Sequence, residues 1–170
     1  MIAVNQLAPD FELTDLSGSL HQLKAMRDHL VIINFWSAEC PWSEQVDQEI
    51  WDDWEAWGER VAWWSIAANA NEPLTLLEQT AATRGLPLLL VDGNQEVTEL
   101  YDAQTTPNVY LVDEHGILRY RGAVNDRTFR QRTPLRFYLR DAVQALLEGR
   151  LPEIAETSPY GCAIVRFSSG

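Results

Sequence analysis

From residue 30 onward, short apolar β-rich runs alternate with longer stretches of helical periodicity, and this alternation narrows the fold more than any other feature. Leu30 to Trp36 reads Leu-Val-Ile-Ile-Asn-Phe-Trp, almost unbroken in apolar character, as a strand covered on both faces must be. After Ser37-Ala38-Glu39, the residues Val46, Ile50, Trp54 and Trp57 recur at helical spacing, which predicts a helix from Cys40 to about Gly58. Val61 to Ala68 reads as a second strand, a helix opens at Pro73 and stops near Gly85, and Leu88 to Val91 is a third strand. A short helix over Gln95 to Tyr101 follows, then strands Val109 to Val112 and Ile117 to Ala123 across the turn Asp113 to Gly116, which forces an antiparallel hairpin. A helix over Pro134 to Leu147 ends at Gly149, and residues 1–29 supply a small hairpin and one helical turn. The pattern predicts an α/β domain with a mixed sheet, largely parallel at its core and flanked by helices.

The 170 residues fit one domain, read as residues 1–149 followed by a C-terminal tail, 150–170, that carries Cys162. The tail is first polar and extended, then apolar over Tyr160 to Phe167, so it is expected to add an edge strand or lie in a groove. Thirteen Lys and Arg against twenty-five Asp and Glu give a net charge of −12, which repels phosphate backbones and anionic membrane surfaces and argues against both as partners. No run approaches the roughly 18–20 apolar residues of a membrane span, and the first ten residues lack the pattern of a signal peptide, so a cytoplasmic location is expected. Two cysteines and three scattered histidines, His21, His29 and His115, form neither a disulfide scaffold nor a metal-ligand spacing. No metal or cofactor is expected.

Chemistry concentrates at Cys40, where a buried strand gives way to a helix. Unpaired amides and the helix dipole at such a start favour a thiolate, the nucleophile of disulfide exchange and of peroxide reduction. Glu39 and Glu44 pull the other way, so the thiolate is expected to be moderately favoured. The bland alternative is an inert buried cysteine. Trp42 is expected on the surface as part of a substrate-docking patch, with Tyr160 as its counterpart near Cys162, whereas most of the remaining tryptophans read as core. The basic run Arg127, Arg130, Arg132, Arg136, Arg140 reads as a solvated face paired with surface carboxylates, the alternative being a site for an anion or acidic partner.

The segment Phe35-Trp-Ser-Ala-Glu-Cys-Pro-Trp-Ser43 resembles the active-site segment of the thioredoxin-fold redoxins, with Ser43 where a dithiol member has its second cysteine. Ala8-Pro9-Asp10-Phe11 with Leu13 resembles the opening of the alkyl hydroperoxide reductase/thiol-specific antioxidant group and its thiol-disulfide oxidoreductase relatives. Thr106-Pro107 is similar to their cis-proline loop, Asp113 to Gly116 to their hairpin turn, Tyr120-Arg121-Gly122 to the following strand, and Tyr160-Gly-Cys-Ala-Ile164 to the C-terminal cysteine signature of one subgroup. The resemblance covers nearly the whole chain and implies a thioredoxin-like fold, with a cis bond at Thr106-Pro107 facing the cysteine and a backbone there that pairs with an incoming peptide.

What the resemblance implies for function follows residue by residue. Cys40 is the expected nucleophile and Cys162 the one candidate for resolving a mixed disulfide; Trp42, Thr106 and Pro107 are expected to bind substrate, with Ser37, Ser43 and Arg121 in support. Substrates would be protein or small-molecule disulfides or hydroperoxides, with an external thiol reductant such as thioredoxin. The chain departs from the family at Asn34, which replaces a buried acid and is expected to be a hydrogen-bonded structural residue. Ile33 and Ser37 stand at the Pro and Thr positions of the peroxiredoxin motif and Pro107 where its arginine falls, leaving Arg121 or Arg119 as substitutes. Thiol-disulfide exchange is therefore the leading expectation, ahead of a peroxidase passing through a Cys40 sulfenic acid and of a redox-inert peptide-binding module.

Overall fold

The computed structural model describes residues 2–167. A seven-stranded mixed sheet runs in the order β2-β1-β5-β4-β3-β7-β8, with β1 at Glu12–Asp15, β2 at Leu20–Gln22, β3 at Leu30–Trp36, β4 at Val61–Ala67, β5 at Leu89–Val91, β7 at Asn108–Val112 and β8 at Leu118–Gly122. The three central strands β3, β4 and β5 are parallel, β7 and β8 close one side as an antiparallel hairpin, and the β1/β2 hairpin closes the other. All seven residues of β3 are buried, which is why its sequence carries no polar alternation.

The two faces of the sheet bury different sets. Ile33, Phe35, Trp64, Ile66, Tyr101 and Tyr110 pack on one face, with Phe11 set edge-on to Trp64 and to Tyr101. Ile32, Trp63, Leu111 and Tyr120 pack on the other, under α1 (Pro41–Trp57) and α4 (Tyr138–Leu147), which contribute Val46, Ile50, Leu139 and Val143. Trp51, Trp54 and Trp57 are half-buried at the margin of this core, with Trp51 and Trp54 donating their indole N–H groups to the carbonyls of Arg84 and Val61. Helix α2 covers Leu74–Arg84 and α3 Glu96–Leu100.

The last helix begins later than its sequence suggests. Asp126 draws the Leu135 and Arg136 amides onto its Oδ1 at 2.8 and 3.1 Å, so those N–H groups close a loop and α4 starts only at Tyr138.

The tail does not leave the domain. Ala155 to Thr157 runs beside β8, exchanging backbone hydrogen bonds with Arg121, and β9 (Cys162–Ala163) pairs antiparallel with β6 (Thr105–Thr106). Beyond it Ile164 is buried, and the Val165 carbonyl accepts from the Ala70 amide and from Gln95 Nε2, both at 2.9 Å. The tail is thereby stitched across the end of the sheet where β3 hands over to α1.

Candidate active site around Cys40

Cys40 caps the N-terminus of α1 with an extended backbone, φ −87° and ψ 118°, and Pro41 follows at the first helical position, where its missing N–H costs nothing. The Cys40 side chain is 2% exposed. Its Sγ lies 3.1 Å from the Thr106 carbonyl oxygen and 2.7 Å from Cys162 Sγ, and both thiols are free. The Thr106-Pro107 bond is cis. Thr106 pairs with Cys162 in the β6/β9 ladder, so the tail lies on the cis-proline loop in the manner expected of an incoming peptide.

The approach depends on two glycines. A Cβ on Gly161 would stand 2.1 Å from the Thr106 carbonyl oxygen, and one on Gly122, whose φ is 138°, would stand 2.3 Å from the Thr157 carbonyl oxygen. Only glycine lets the tail backbone come so close at both points.

The two sulfurs are electrostatically unlike. Burial works against a Cys40 thiolate, but hydrogen bonding, from Cys162 and the Ser43 amide above all, outweighs it and leaves the thiol below its ordinary value. Cys162 is pushed up to about 12, first by burial and then by its hydrogen bond to Cys40 and the charge there. Of the two thiols, Cys40 therefore loses its proton first.

Two side chains from outside the strand-helix junction fix the loop before Cys40. Glu72 accepts Ser37 Oγ–H at 2.5 Å and the Ala38 amide at 3.0 Å, while Arg84 donates to the Ala38 carbonyl at 2.8 Å and to Asp47 at 3.2 Å. Arg84 also lies over the Trp36 ring, and the Trp36 indole donates to Asp47 at 2.7 Å. Burial raises the Asp47 carboxyl to about 6 against the pull of Trp36 and Arg84. Sequence reasoning missed Asp47, Glu72 and Arg84. Asp47 left a trace, a carboxylate one residue after Val46 and three before Ile50 on a stripe that must face the sheet; Glu72 and Arg84 left none, because the fold alone brings them to residues 37–38.

The structure gathers Cys40, Cys162, Trp42, Thr106, Pro107 and Ser43, whose Oγ accepts the Ser37 amide at 3.3 Å. Trp42 is half-buried rather than exposed, since Tyr160 stands edge-on against it with ring centroids 5.0 Å apart. Ser37 anchors its own loop through Glu72 and Asn69, with no hydrogen bond to Cys40. Arg121 does not join the site: its guanidinium is held by Glu156 at 2.7 Å and the Ile2 carbonyl at 3.0 Å, and Arg119 is likewise held by Asp113. Asn34 corrects another expectation. It is fully buried, yet both ends of its amide lack a hydrogen-bond partner among the described residues, as does the hydroxyl of Ser65 opposite it on β4. No cluster of three or more His, Cys, Asp or Glu fit for a metal occurs among the described residues.

The chain is similar to several known proteins. The thiol-disulfide oxidoreductase ResA of Geobacillus kaustophilus is 31% identical over 119 residues, 68% of this chain and 66% of that protein, so the chain spans just under two thirds of that relative. A crystal structure of an uncharacterized conserved protein from Geobacillus kaustophilus superposes with a TM-score of 0.89 at 27% identity, covering 100% of this chain and 95% of that one. The thioredoxin domain of a thiol-disulfide oxidoreductase from Bacteroides vulgatus superposes with a TM-score of 0.64 at 18% identity, covering 78% of this chain and 94% of that one, which identifies the fold as thioredoxin-like. The sequence model of the AhpC/TSA family matches residues 4–121, the span that carries β1 to β7, all but the last residue of β8, Cys40 and the cis-proline loop, and the chain belongs to that family.

Proposed function

We propose that the protein is a thiol-disulfide oxidoreductase in which Cys40 is the nucleophile and Cys162 the resolving thiol. The observation that carries the reading is the contact of the two sulfurs, 2.7 Å apart at a helix start beside the cis-proline loop. The name of the ResA relative supports the reaction class.

The Cys40 thiolate attacks one sulfur of a substrate disulfide, forming a mixed disulfide and expelling the other sulfur as a thiolate, which takes the proton of Cys162. Cys162 then attacks Cys40 Sγ, forming the Cys40–Cys162 bond and expelling the second substrate thiolate. The substrate gains the two electrons that the protein's dithiol loses, and an external thiol reductant such as thioredoxin restores the dithiol. Order is built into the pair. Two of the three influences that hold the Cys162 proton on, its hydrogen bond to Cys40 and the charge there, vanish once Cys40 is in a mixed disulfide. Their loss lowers the Cys162 value at the stage when its attack is needed, although burial still raises it. Entry of substrate requires the tail to lift from Thr105 and Thr106, since Cys40 is buried beneath it.

The peroxidase alternative lacks its activating group, because Arg119 and Arg121 are both held elsewhere by carboxylates. The test is a single turnover of the reduced protein with a peptide disulfide, and in parallel with hydrogen peroxide at the same pH. Release of both substrate thiols with formation of the Cys40–Cys162 bond, together with peroxide oxidation no faster than that of free cysteine, is the expected result. Peroxide consumption far faster than free cysteine, with inert disulfides, would overturn it.

A further inference from the structure

The segment between β8 and α4 carries Arg127, Arg130, Arg132 and Arg136, and none of the four has a carboxylate within 4.0 Å among the described residues. Of the basic run, only Arg140 pairs as the sequence reading expects, with Asp53 at 2.8 Å. In a chain with twenty-five acidic residues to thirteen basic ones, surface arginines have abundant partners, yet these four stand apart from them. The concentration of positive charge is local and opposes the field of the rest of the molecule.

The segment is also a built structure. Asp126 closes it at both ends, its amide donating to the Arg136 carbonyl at 3.2 Å and its carboxylate accepting the Leu135 and Arg136 amides. Thr128 Oγ1 accepts the Arg130 and Gln131 amides inside it. The Phe129 amide donates to Tyr160 Oη at 2.9 Å, tying the loop to the tail two residues before Cys162. A cavity of about 260 Å³ opens there, lined by Pro41, Trp42, Gln45, Arg127, Phe129 and Arg132, so it runs from the residue after Cys40 to the arginines. Phe129, on its wall, is 67% exposed, and Leu135, farther along the same segment, is 76% exposed.

We propose that this loop docks an acidic protein segment, bearing one apolar side chain, that presents the substrate cysteine to Cys40. The proposal rests on the thiol-disulfide reading and names the chemistry of its partner. Four arginines spread over ten residues exceed what one small anion can engage, and the adjoining cavity accepts an apolar side chain against Trp42 and Phe129. Nucleic acid and anionic membranes extend beyond the four arginines and meet the repulsion of the whole chain, net −12, whereas a short acidic segment meets only the local cluster.

The experiment measures fluorescence anisotropy of a labelled, cysteine-free peptide rich in Asp and Glu and containing one Leu, titrated with the reduced full chain at low and high salt. A peptide of the same length with Lys in place of the acids is the control. The acidic peptide is expected to bind and the Lys peptide not to, with the Arg130→Gln, Arg132→Gln, Arg136→Gln triple variant weaker by roughly tenfold or more and binding lost at high salt. Thermal unfolding of the triple variant checks that it folds; if it does not, the single Arg132→Gln variant carries the test, with a weaker but measurable loss expected. Equal binding by wild type and variant, or no preference for the acidic peptide, overturns the proposal. Self-association of the wild type that the same substitutions abolish also overturns it, by putting a second copy on the loop. Because the peptide holds no sulfur, the titration succeeds or fails independently of disulfide turnover, so failure of docking and failure of the redox reading are separately visible.

Discussion

Gly161 packs so tightly on Thr106 that a Cβ at this position would stand 2.1 Å from the Thr106 carbonyl oxygen and 2.9 Å from Pro107 Cδ. Backbone rather than flexible side chain is the obstacle, so an alanine there cannot be absorbed by a rotamer change. Gly161→Ala should lift β9 off β6 and move Cys162 away from Cys40. The effective concentration of Cys162 toward Cys40, read from redox equilibrium with glutathione, should fall by about tenfold or more, each tenfold being about 1.4 kcal/mol. An unchanged equilibrium would show that the tail contact does not govern bond formation.

The Cys40–Cys162 pair should titrate as two unlike groups. Carbon-13 shifts of labelled cysteine Cβ atoms should show a first deprotonation below the ordinary thiol value, at Cys40, and a second near 12, at Cys162. In Cys40→Ala, the hydrogen bond and the charge that hold the Cys162 proton are gone, so its value should fall below 12 although burial still raises it. Identical ordinary titrations of the two thiols would refute the asymmetry.

Asp47 makes stability depend on pH in a predictable direction. Its folded value of about 6 lies above the roughly 3.9 of an unfolded aspartate, so the folded state binds the proton more tightly and the contribution is complete below about pH 4. It is lost as pH rises through about 6. The unfolding free energy of the wild type relative to Asp47→Asn should therefore drop by about 2–3 kcal/mol from pH 4 to pH 7 and then stay flat. A difference that is constant, or grows with pH, would contradict the burial of this carboxylate.

Glu72 and Arg84 position the loop before Cys40 without touching its sulfur. Glu72→Ala removes the acceptor of Ser37 Oγ and of the Ala38 amide and should cost about 1–3 kcal/mol in chemical denaturation. It should also slow single-turnover attack by Cys40, with Glu72→Gln recovering part of the rate. Unchanged rate and stability would show that the loop holds its shape without the carboxylate.

Local pattern carried the architecture because β3 and the α1 stripe are written in adjacent residues: an unbroken apolar run is unambiguous when both faces are covered. Cys40, the cis-proline loop and the tail cysteine were legible for the same reason, each lying in a contiguous motif. The remaining residues were not, because their roles arise from long-range approach. Glu72 meets Ser37 across 35 positions and Arg84 meets Ala38 across 46, and no local period announces either. The late start of α4 was hidden because helical spacing runs on through Leu135 and Arg136 while Asp126, nine and ten residues upstream of them, takes their amides. Arg121 was misplaced because its strand position was legible but its partner, Glu156 on the tail, was not.

The central claim is that Cys40 attacks and Cys162 resolves, and trapping the mixed disulfide tests it most directly. Cys162→Ser and Cys40→Ser are each reacted in reduced form with a peptide disulfide, quenched with acid, and mapped by mass spectrometry. The account predicts that Cys162→Ser accumulates the peptide on Cys40, that Cys40→Ser accumulates little on Cys162, and that the wild type ends in the Cys40–Cys162 bond. Rapid accumulation of the peptide on Cys162 in Cys40→Ser, with Cys40 unreactive in Cys162→Ser, would contradict it.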